Sequence, residues 1–240
     1  MIAANLVSLY LRCGIRFLLG SEPFKLAIDG AEMWVRPRSS DVYVLWETFL
    51  QKDYEVKERV EGTVVDLGAN IGDFCVWCAK KYKPRRIVAV EMEAENFGML
   101  KKNIALNGEE TRIVPVRAAV AERNGWVSIK KAKFNLGIHK VGGAGGDVEA
   151  VTMGEFWRRN KLVKVDMLKM DIEGAERQLM TKANQKYFRK IKHVVLEAHE
   201  QEGFGYHVPR GYLEGLGFKV ESRPMEYAGC MMLDAVNLKA

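Results

Sequence analysis

The sequence predicts a doubly wound α/β domain with a mostly parallel sheet, preceded by an N-terminal extension of a helix, a hairpin and a second helix. From residue 63 onward, short apolar runs alternate with segments of helical spacing. Alternation of this kind is typical of a parallel sheet that helices cover on both faces. The length of 240 residues and the hydrophobic content of 48% suit one such domain with a short extension.

The extension, residues 1–60, begins with "MIAANLVSLYLRCGIRFLLG". This stretch lacks the basic start and the small-residue cleavage site of a signal peptide. Arg12 and Arg16 keep its apolar runs well below the roughly 20 residues that a membrane-spanning helix needs. We therefore expect an amphipathic helix that packs on the domain, and contact of this helix with a membrane surface is the alternative.

The remaining elements follow from local patterns. "KLAIDG" and "EMWVRP" predict a hairpin with Asp29-Gly30 as its turn, and "SSDVYVLWETFL" opens with a helix cap. In the core, residues 61–240, strands are expected at 63–67, 86–91, 112–117, 163–171, 191–198, 217–222 and 228–236. Helices are expected at 72–82, 94–107, 152–160, 175–188 and 209–216.

The segment "VVDLGANIGDF", residues 64–74, links the first core strand to the first core helix. Glycines at 68 and 72 allow the backbone to approach a ligand, and the helix start presents free N–H groups. In open α/β sheets, ligands bind beyond the carboxyl ends of the strands. Glu91 closes the next strand 19 residues after Gly72, where a carboxylate can accept two hydrogen bonds from a ribose diol. The segment therefore predicts a nucleoside-containing cofactor.

The charge of this turn distinguishes between two nucleoside-containing cofactors, NAD and S-adenosylmethionine. A dinucleotide site usually has the order G-x-G-x-x-G, whereas the order here is Asp66-x-Gly68-x-Asn70-x-Gly72. An aspartate at the mouth would repel a pyrophosphate and suits a cationic amine. S-adenosylmethionine has an amine and a ribose but no phosphate, so electrostatics favour it over NAD. Asp73 adds a second negative charge, which either reinforces amine binding or caps the helix.

These residues resemble motifs of class I S-adenosylmethionine-dependent methyltransferases. More narrowly, "DMLKMDIEGAE" at 166–176 is similar to the hallmark of FkbM-type methyltransferases, and "VVLEAHE" resembles that family's fifth-strand motif. "WVRPRSSDVYVLWETFLQKDY" resembles its lead-in, so the resemblance covers about residues 30–200. It implies a seven-stranded Rossmann-like methyltransferase sheet and O-methylation of a hydroxyl on a sugar or other small metabolite.

The resemblance also assigns a cofactor site, position by position. Glu91 would hold the ribose hydroxyls, Met92 would lie against the adenine, and small Ala118 and Ala119 would leave room for the base. The residues of the cofactor loop would be Asp66, Gly68, Ala69, Asn70 and Gly72.

A second group of polar residues lies at the ends of two later strands. Residues two apart on a strand share a face, so Lys169, Asp171 and Glu173 share one face of their strand. Glu197 and His199 likewise share a face of the next strand. Buried carboxylates are costly unless they are paired or bind something. We therefore predict that Asp171 and His199 act on the acceptor beside Glu173, and a structural link from Lys169 to Asp171 is the alternative.

Two mechanisms are open for these residues. A hydroxyl becomes a good nucleophile when it loses its proton, which His199 or Asp171 would take as general base. The same residues would alternatively hold a divalent metal, and an oxygen-rich set suits magnesium better than zinc. His139 lies in the glycine-rich stretch 135–147, which we expect to be a lid that closes over the acceptor.

The charge and cysteine content of the chain help to weigh the alternative functions and the location. The net charge of +6 is spread along the chain, and the basic cluster at 80–86 suits a solvated helix end better than a nucleic-acid site. An RNA-binding or RNA-modifying protein on the same fold and an NAD-dependent oxidoreductase are the alternatives. Four cysteines do not suggest a disulfide scaffold, so a cytoplasmic location is expected, with Cys75 and Cys78 packed in the core.

Overall fold

The computed structural model describes residues 2–128, 146–199, 205–225 and 229–239. The strands are β1 Phe24–Ile28, β2 Ala31–Val35, β3 Thr63–Leu67, β4 Arg86–Val90, β5 Ile113–Val116, β6 Ala119–Ala121, β7 Gly125–Val127, β8 Val148–Thr152, β9 Val165–Met170, β10 Ile191–His199, β11 Phe218–Pro224 and β12 Cys230–Asn237. The helices are α1 Ile2–Leu19, α2 Asp41–Leu45, α3 Asp73–Lys81, α4 Ala94–Leu106, α5 Met153–Arg159, α6 Glu176–Leu179, α7 Gln185–Phe188 and α8 His207–Leu216. A π-helical segment, Trp46–Gln51, continues α2, and a 3-10 turn, Lys182–Asn184, precedes α7.

The centre of the fold is a seven-stranded sheet in the order β11-β12-β10-β9-β3-β4-β5. Strands β5, β4, β3, β9 and β10 run parallel, whereas β12 pairs antiparallel with both β10 and β11. All seven strands lie where the apolar runs predicted them, so the predicted mostly parallel sheet is confirmed. The carboxyl ends of the parallel strands meet at one edge, which is the edge that binds ligands in sheets of this kind.

Alternate residues of the central strands pack into two separate layers. Val64, Met167 and Val195 belong to the core that α3, α4 and the N-terminal extension cover. The residues of the opposite face belong to a second core, which α5 and α8 cover. Burial on both faces explains why these strands are apolar almost throughout. Cys75 and Cys78 are fully buried in the first core, as expected from the sequence.

The extension consists of α1, the β1–β2 hairpin, and α2 with its π-helical continuation. The hairpin turns at Asp29 and Gly30, both with positive φ, as a tight two-residue turn requires. Helix α1 is interrupted at Gly14, where φ is 55° and ψ is −143°. Within the described residues, none of the helices is both long enough and apolar enough to cross a membrane.

Two buried polar groups attach the extension to the core. The guanidinium of Arg36 forms an ion pair with fully buried Asp41 and also donates to Asn96 Oδ1 at 2.8 Å. The amide of Asn103 donates to Ile71 O at 2.9 Å and accepts from the backbone N–H of Trp34 at 2.6 Å. Asn103 thereby links α4, β2 and the turn after β3, which holds that turn in one position.

The sequence-based prediction of one helix over 175–188 was wrong, because this segment divides into α6, the 3-10 turn and α7. Thr181 is extended, with φ −115° and ψ 161°, and its carbonyl accepts from Tyr212 Oη at 2.9 Å. Asn184 Nδ2 donates to Leu179 O at 2.9 Å. These side-chain bonds satisfy carbonyls that a continuous helix would have paired internally, so helical spacing alone did not reveal the break.

Candidate active site

An open cleft lies at the carboxyl edge of the sheet. Its walls come from the ends of β3, β4 and β9 and from the segment around β6, which is the region where the sequence predicted a ligand. The lining residues that sequence reasoning singled out are Gly68, Asn70, Glu91, Met92, Ala118, Ala119, Asp171 and Glu173. Lining residues that it missed include Asn96, Val120, Ile172 and Ala175.

The glycines of the turn after β3 are required by contacts within the protein. A Cβ on Gly68 would lie 1.8 Å from the carbonyl oxygen of Asp171, and one on Gly72 would lie 2.7 Å from Leu100 Cδ1. Both residues have positive φ, 86° and 88°, as does Asn70 at 47°. Gly72 does not line the cleft, and neither does Ala69. The sequence indicated that the backbone of this turn comes close to something. The structure shows that the turn comes close to Asp171, at the end of the neighbouring strand, and to Leu100 in α4.

Glu91 is the best-oriented acid of the cleft. One carboxylate oxygen accepts the backbone N–H of Asn70 at 2.8 Å, and the other accepts that of Glu93 at 2.7 Å. Burial raises the pKa of Glu91 to about 7, although these backbone hydrogen bonds oppose the rise. The turn and the end of β4 thus hold this carboxylate in a fixed orientation at the cleft, in agreement with the geometry that a ribose-binding acid needs.

Asp66 lies beneath the turn and not at the mouth of the cleft. Its side chain is fully buried and is absent from the cleft lining. Its carboxylate accepts from Cys75 Sγ at 2.9 Å and lies 3.3 Å from Lys169 Nζ. The interpretation of Asp66 as a residue that directly faces a cationic amine is therefore corrected: strand alternation turns this side chain toward α3.

Lys169 is the centre of the charged group below the turn. Its ammonium donates to Gly68 O at 2.8 Å, lies 3.7 Å from Asp171 Oδ2 and lies 5.3 Å from the centre of the Tyr54 ring. These contacts and the neighbouring acids raise the pKa of Lys169 although burial opposes the rise, so the side chain stays charged. The link from Lys169 to Asp171 that the sequence offered as an alternative exists, and it also supports the cofactor turn.

Further buried acids surround this lysine. Asp73 accepts from Thr48 Oγ1 at 2.6 Å, and burial raises its pKa to about 6. Tyr54 Oη donates to Glu197, which is buried. Burial and the charges of Glu197 and other acids raise the pKa of Glu47 to about 9. Asp73 thus contacts Thr48 of the extension, and amine binding remains one of the two roles that the sequence left open for it.

On the acceptor side, His199 is brought together with the acids that the strand pattern predicted. Its Nε2 lies 3.9 Å from Asp171 Oδ1 and 3.3 Å from Glu173 Oε2, and its Nδ1 lies 3.4 Å from Glu176 Oε1. Burial would lower the pKa of His199, but hydrogen bonding with Cys230 and Glu176 and the charge of Asp171 outweigh it and raise the pKa to about 12. His199 is consequently an imidazolium at neutral pH, which makes it a poor proton acceptor.

Glu173 has the properties of a proton acceptor. Burial and the neighbouring charge of Asp171 raise its pKa to about 7, although His199 opposes the rise. Its backbone has φ 53°, a strained conformation for a residue other than glycine. Such strain and such a pKa shift are common where side chains act chemically. Sequence reasoning placed Glu173 beside the acceptor but did not assign it this role, since only the three-dimensional surroundings set the pKa.

Among the described residues, two groups of side chains could hold a metal ion. The potential ligand atoms of Asp171, Glu173 and His199 lie within 4.8 Å of one another, and so do those of Glu197, His199 and Cys230. His199 belongs to both groups, and a metal would bind it as a neutral imidazole. The remaining site prediction is His139 in a lid at 135–147. His139 and most of this segment lie outside the described residues.

Comparisons with known proteins agree with this arrangement. Methyltransferase sdnD of Sordaria araneosa is 23% identical over 221 residues, covering 78% of this chain and 85% of that protein. Methyltransferase FkbM from Methylobacillus flagellatus KT has a similar fold, with TM-score 0.56 and 15% identity over 79% of this chain and 47% of that one. TrmK of M. capricolum, solved with S-adenosyl-homocysteine, gives TM-score 0.50 and 11% identity over 79% of this chain and 67% of that one.

These solved structures show that the chain has a Rossmann-like fold. The family model described as "Methyltransferase FkbM domain" matches residues 66–220, from the cofactor turn to β11. Because this match spans more than half of the chain, the protein belongs to the FkbM methyltransferase family and is a methyltransferase.

Proposed function

We propose that this methyltransferase methylates a hydroxyl oxygen of a small molecule, a sugar or another hydroxylated metabolite. The observation that carries the proposal is that Asp171 and Glu173 line the same cleft as Glu91. His199, which does not itself line the cleft, lies 3.9 Å and 3.3 Å from their carboxylate oxygens. A hydroxyl needs a proton acceptor, and a carboxylate with a pKa of about 7 is matched to that task near neutral pH.

In this proposal, charged side chains on the acceptor side of the cleft take up the proton and hold one another in position. When bound, S-adenosylmethionine supplies a methyl group on a positively charged sulfur. The acceptor hydroxyl that takes this methyl group would give its proton to Glu173 or Asp171. His199, as an imidazolium, holds the two carboxylates near each other and limits their repulsion. The role of general base that the sequence offered to His199 thus passes to its acidic neighbours.

Magnesium held by Asp171, Glu173 and His199 is the alternative mechanism for the same reaction. Treatment with a chelator separates the two mechanisms: direct proton transfer predicts unchanged turnover. A loss of turnover that added magnesium restores would instead assign the cluster to a metal.

Charge also distinguishes a small acceptor from RNA. Asp171 and Glu173 line the cleft, and Asp73 and Glu197 are buried behind it. A phosphate backbone that approached this cleft would meet negative charge, whereas RNA-binding surfaces present Lys and Arg. We also place the enzyme in the cytoplasm, an inference that the four free, buried cysteines support.

The test combines ligand binding with an acceptor screen. S-adenosylhomocysteine at about 100 times its dissociation constant is expected to stabilise the protein by roughly 2.7 kcal/mol, and NAD is expected to have no effect. Methyl transfer from labelled S-adenosylmethionine is then measured on a panel of sugars and other hydroxylated metabolites, with RNA in a parallel reaction. Methylation of RNA alone, or of a nitrogen atom, would contradict the proposal.

A further inference from the structure

Helix α1 has an apolar face that the protein leaves exposed. Val7, Leu11, Ile15, Leu18 and Leu19 are between 57% and 74% exposed, although all are large aliphatic residues. Each of the two helical parts that meet at Gly14 carries an exposed apolar row: Val7 and Leu11 lie before the break, and Ile15, Leu18 and Leu19 lie after it, at spacings of three and four residues within each part. The other large exposed apolar residues of the described chain, Trp126, Val163, Val208 and Leu238, are scattered through the sequence.

Packing of α1 on the domain does not account for these exposed residues, because a different side of the helix packs against the core. Leu9 and Cys13 are buried in the core that the extension shares with α3 and α4. Tyr10 and Phe17 are partly buried against the same core and contact each other at 5.0 Å between ring centres. The helix thus has two apolar sides, and only one of them is used by the fold.

The charges of α1 are all of one sign. Arg12 and Arg16 are exposed, and the helix contains no Asp or Glu. Arg12 Nη2 donates to Ala27 O at 2.6 Å, which fixes this guanidinium beside the hairpin. Aliphatic residues on one side of a helix with arginines beside them and no acid match the pattern of helices that lie in the interface of an anionic bilayer.

We propose that α1 is a peripheral membrane-binding surface that lies on anionic lipid, with the five exposed aliphatic side chains in the acyl boundary. A second copy of the chain is the less favourable occupant, because an isologous contact would bring the arginines of two acid-free helices together. Anionic headgroups neutralise these same arginines. The proposal is independent of the acceptor and of the chemistry at the cleft.

The test is sedimentation of the full chain with vesicles of phosphatidylcholine alone and of phosphatidylcholine mixed with phosphatidylglycerol. We expect binding to the mixed vesicles that weakens as salt is added. The double substitution Leu11→Gln and Ile15→Gln should lower the partition coefficient at least about tenfold, since two aliphatic side chains leave the bilayer. Arg16→Gln should lower it about fivefold on the mixed vesicles only.

Matched controls keep the result specific to α1. Val163→Gln and Leu238→Gln alter equally exposed aliphatic residues elsewhere and should leave vesicle binding unchanged. Melting temperature and S-adenosylhomocysteine affinity should be unaffected in all variants, which separates a binding defect from a folding defect. Absence of binding to the mixed vesicles would overturn the proposal. So would a dimer in analytical ultracentrifugation that Leu11→Gln and Ile15→Gln dissociate, because that result assigns the face to a second copy.

Discussion

The two halves of the cleft differ in how their polar groups are satisfied. On the cofactor side, both oxygens of Glu91 accept backbone N–H groups, and Asn103 fixes the turn through Ile71 O. On the acceptor side, Asp171 Oδ1, Glu176 Oε2 and His199 Nδ1 are buried without a hydrogen-bond partner among the described residues. Asp66 Oδ1, beneath the cofactor-side turn, also lacks a hydrogen bond, but it lies 3.3 Å from the buried ammonium of Lys169.

This difference indicates how the protein divides its tasks. The cofactor side is oriented before any ligand arrives, so little conformational entropy has to be lost when the cofactor binds. The acceptor side concentrates Asp171, Glu173 and Glu176 around the single imidazolium of His199, and Glu173 adds backbone strain. The second arrangement is less stable and more reactive, which is expected of the groups that move a proton.

The largest expected effect separates chemistry from binding. Asp171→Asn keeps the shape of the side chain but removes its charge, so turnover should fall by a factor on the order of 10² to 10⁴. The affinity for S-adenosylhomocysteine should change little, and Glu110→Gln, at an exposed position away from the cleft, serves as the control. Steady-state kinetics and calorimetric titration measure the two quantities. Full turnover in the Asp171→Asn enzyme would assign this residue to structure alone.

The second effect concerns Lys169, the buried cation that contacts both halves of the cleft. Lys169→Met leaves Asp66 and Asp171 without their buried cation, and breaking a buried pair of this kind costs about 3–5 kcal/mol of unfolding free energy. Lys164→Met, at an exposed position near the start of β9, is the matched control. Urea denaturation measures both variants. If their stabilities were alike, Lys169 would not be the organising charge of the site.

A smaller effect tests the orientation of the cofactor side. Glu91→Ala should weaken S-adenosylhomocysteine binding about tenfold to a hundredfold, since charge-assisted hydrogen bonds to a diol are lost. In the wild type, affinity should also fall as pH is lowered through about 7, because protonation removes the carboxylate. Glu95→Ala, at an exposed position in α4, controls for charge. Calorimetry across pH reads both results, and a pH-independent affinity would contradict this role for Glu91.

The smallest effect concerns the acids buried behind the cleft. Glu47 ionises near pH 4.5 in the unfolded chain and near 9 in the fold, so between these values the folded protein binds more protons and loses stability as pH rises. Glu47→Gln removes this loss. The variant should be more stable than the wild type by about 2 kcal/mol at pH 6 and no more stable below pH 4, as measured by urea denaturation. Equal stability at both pH values would show that Glu47 is not held in its protonated form.

The sequence by itself determined the seven strands of the sheet, the hairpin turn at Asp29-Gly30, the turn at 68–72 and the position of Glu91. Each of these follows from a pattern within one element or between consecutive elements: an apolar run, a glycine where φ is positive, or an acid at the end of a strand. Strand alternation also predicted that Asp171, Glu173 and His199 would meet, because neighbouring parallel strands end at one edge.

Only the tertiary structure decided what these groups do. Lys169 contacts Gly68, about a hundred residues earlier in the chain, and this contact places Asp66 below the turn instead of at the cleft. The charge of His199 and the raised pKa of Glu173 depend on burial and on carboxylates from several elements together. Local sequence patterns specify which elements form, whereas protonation states depend on the summed surroundings of each group, and those exist only after the chain has folded.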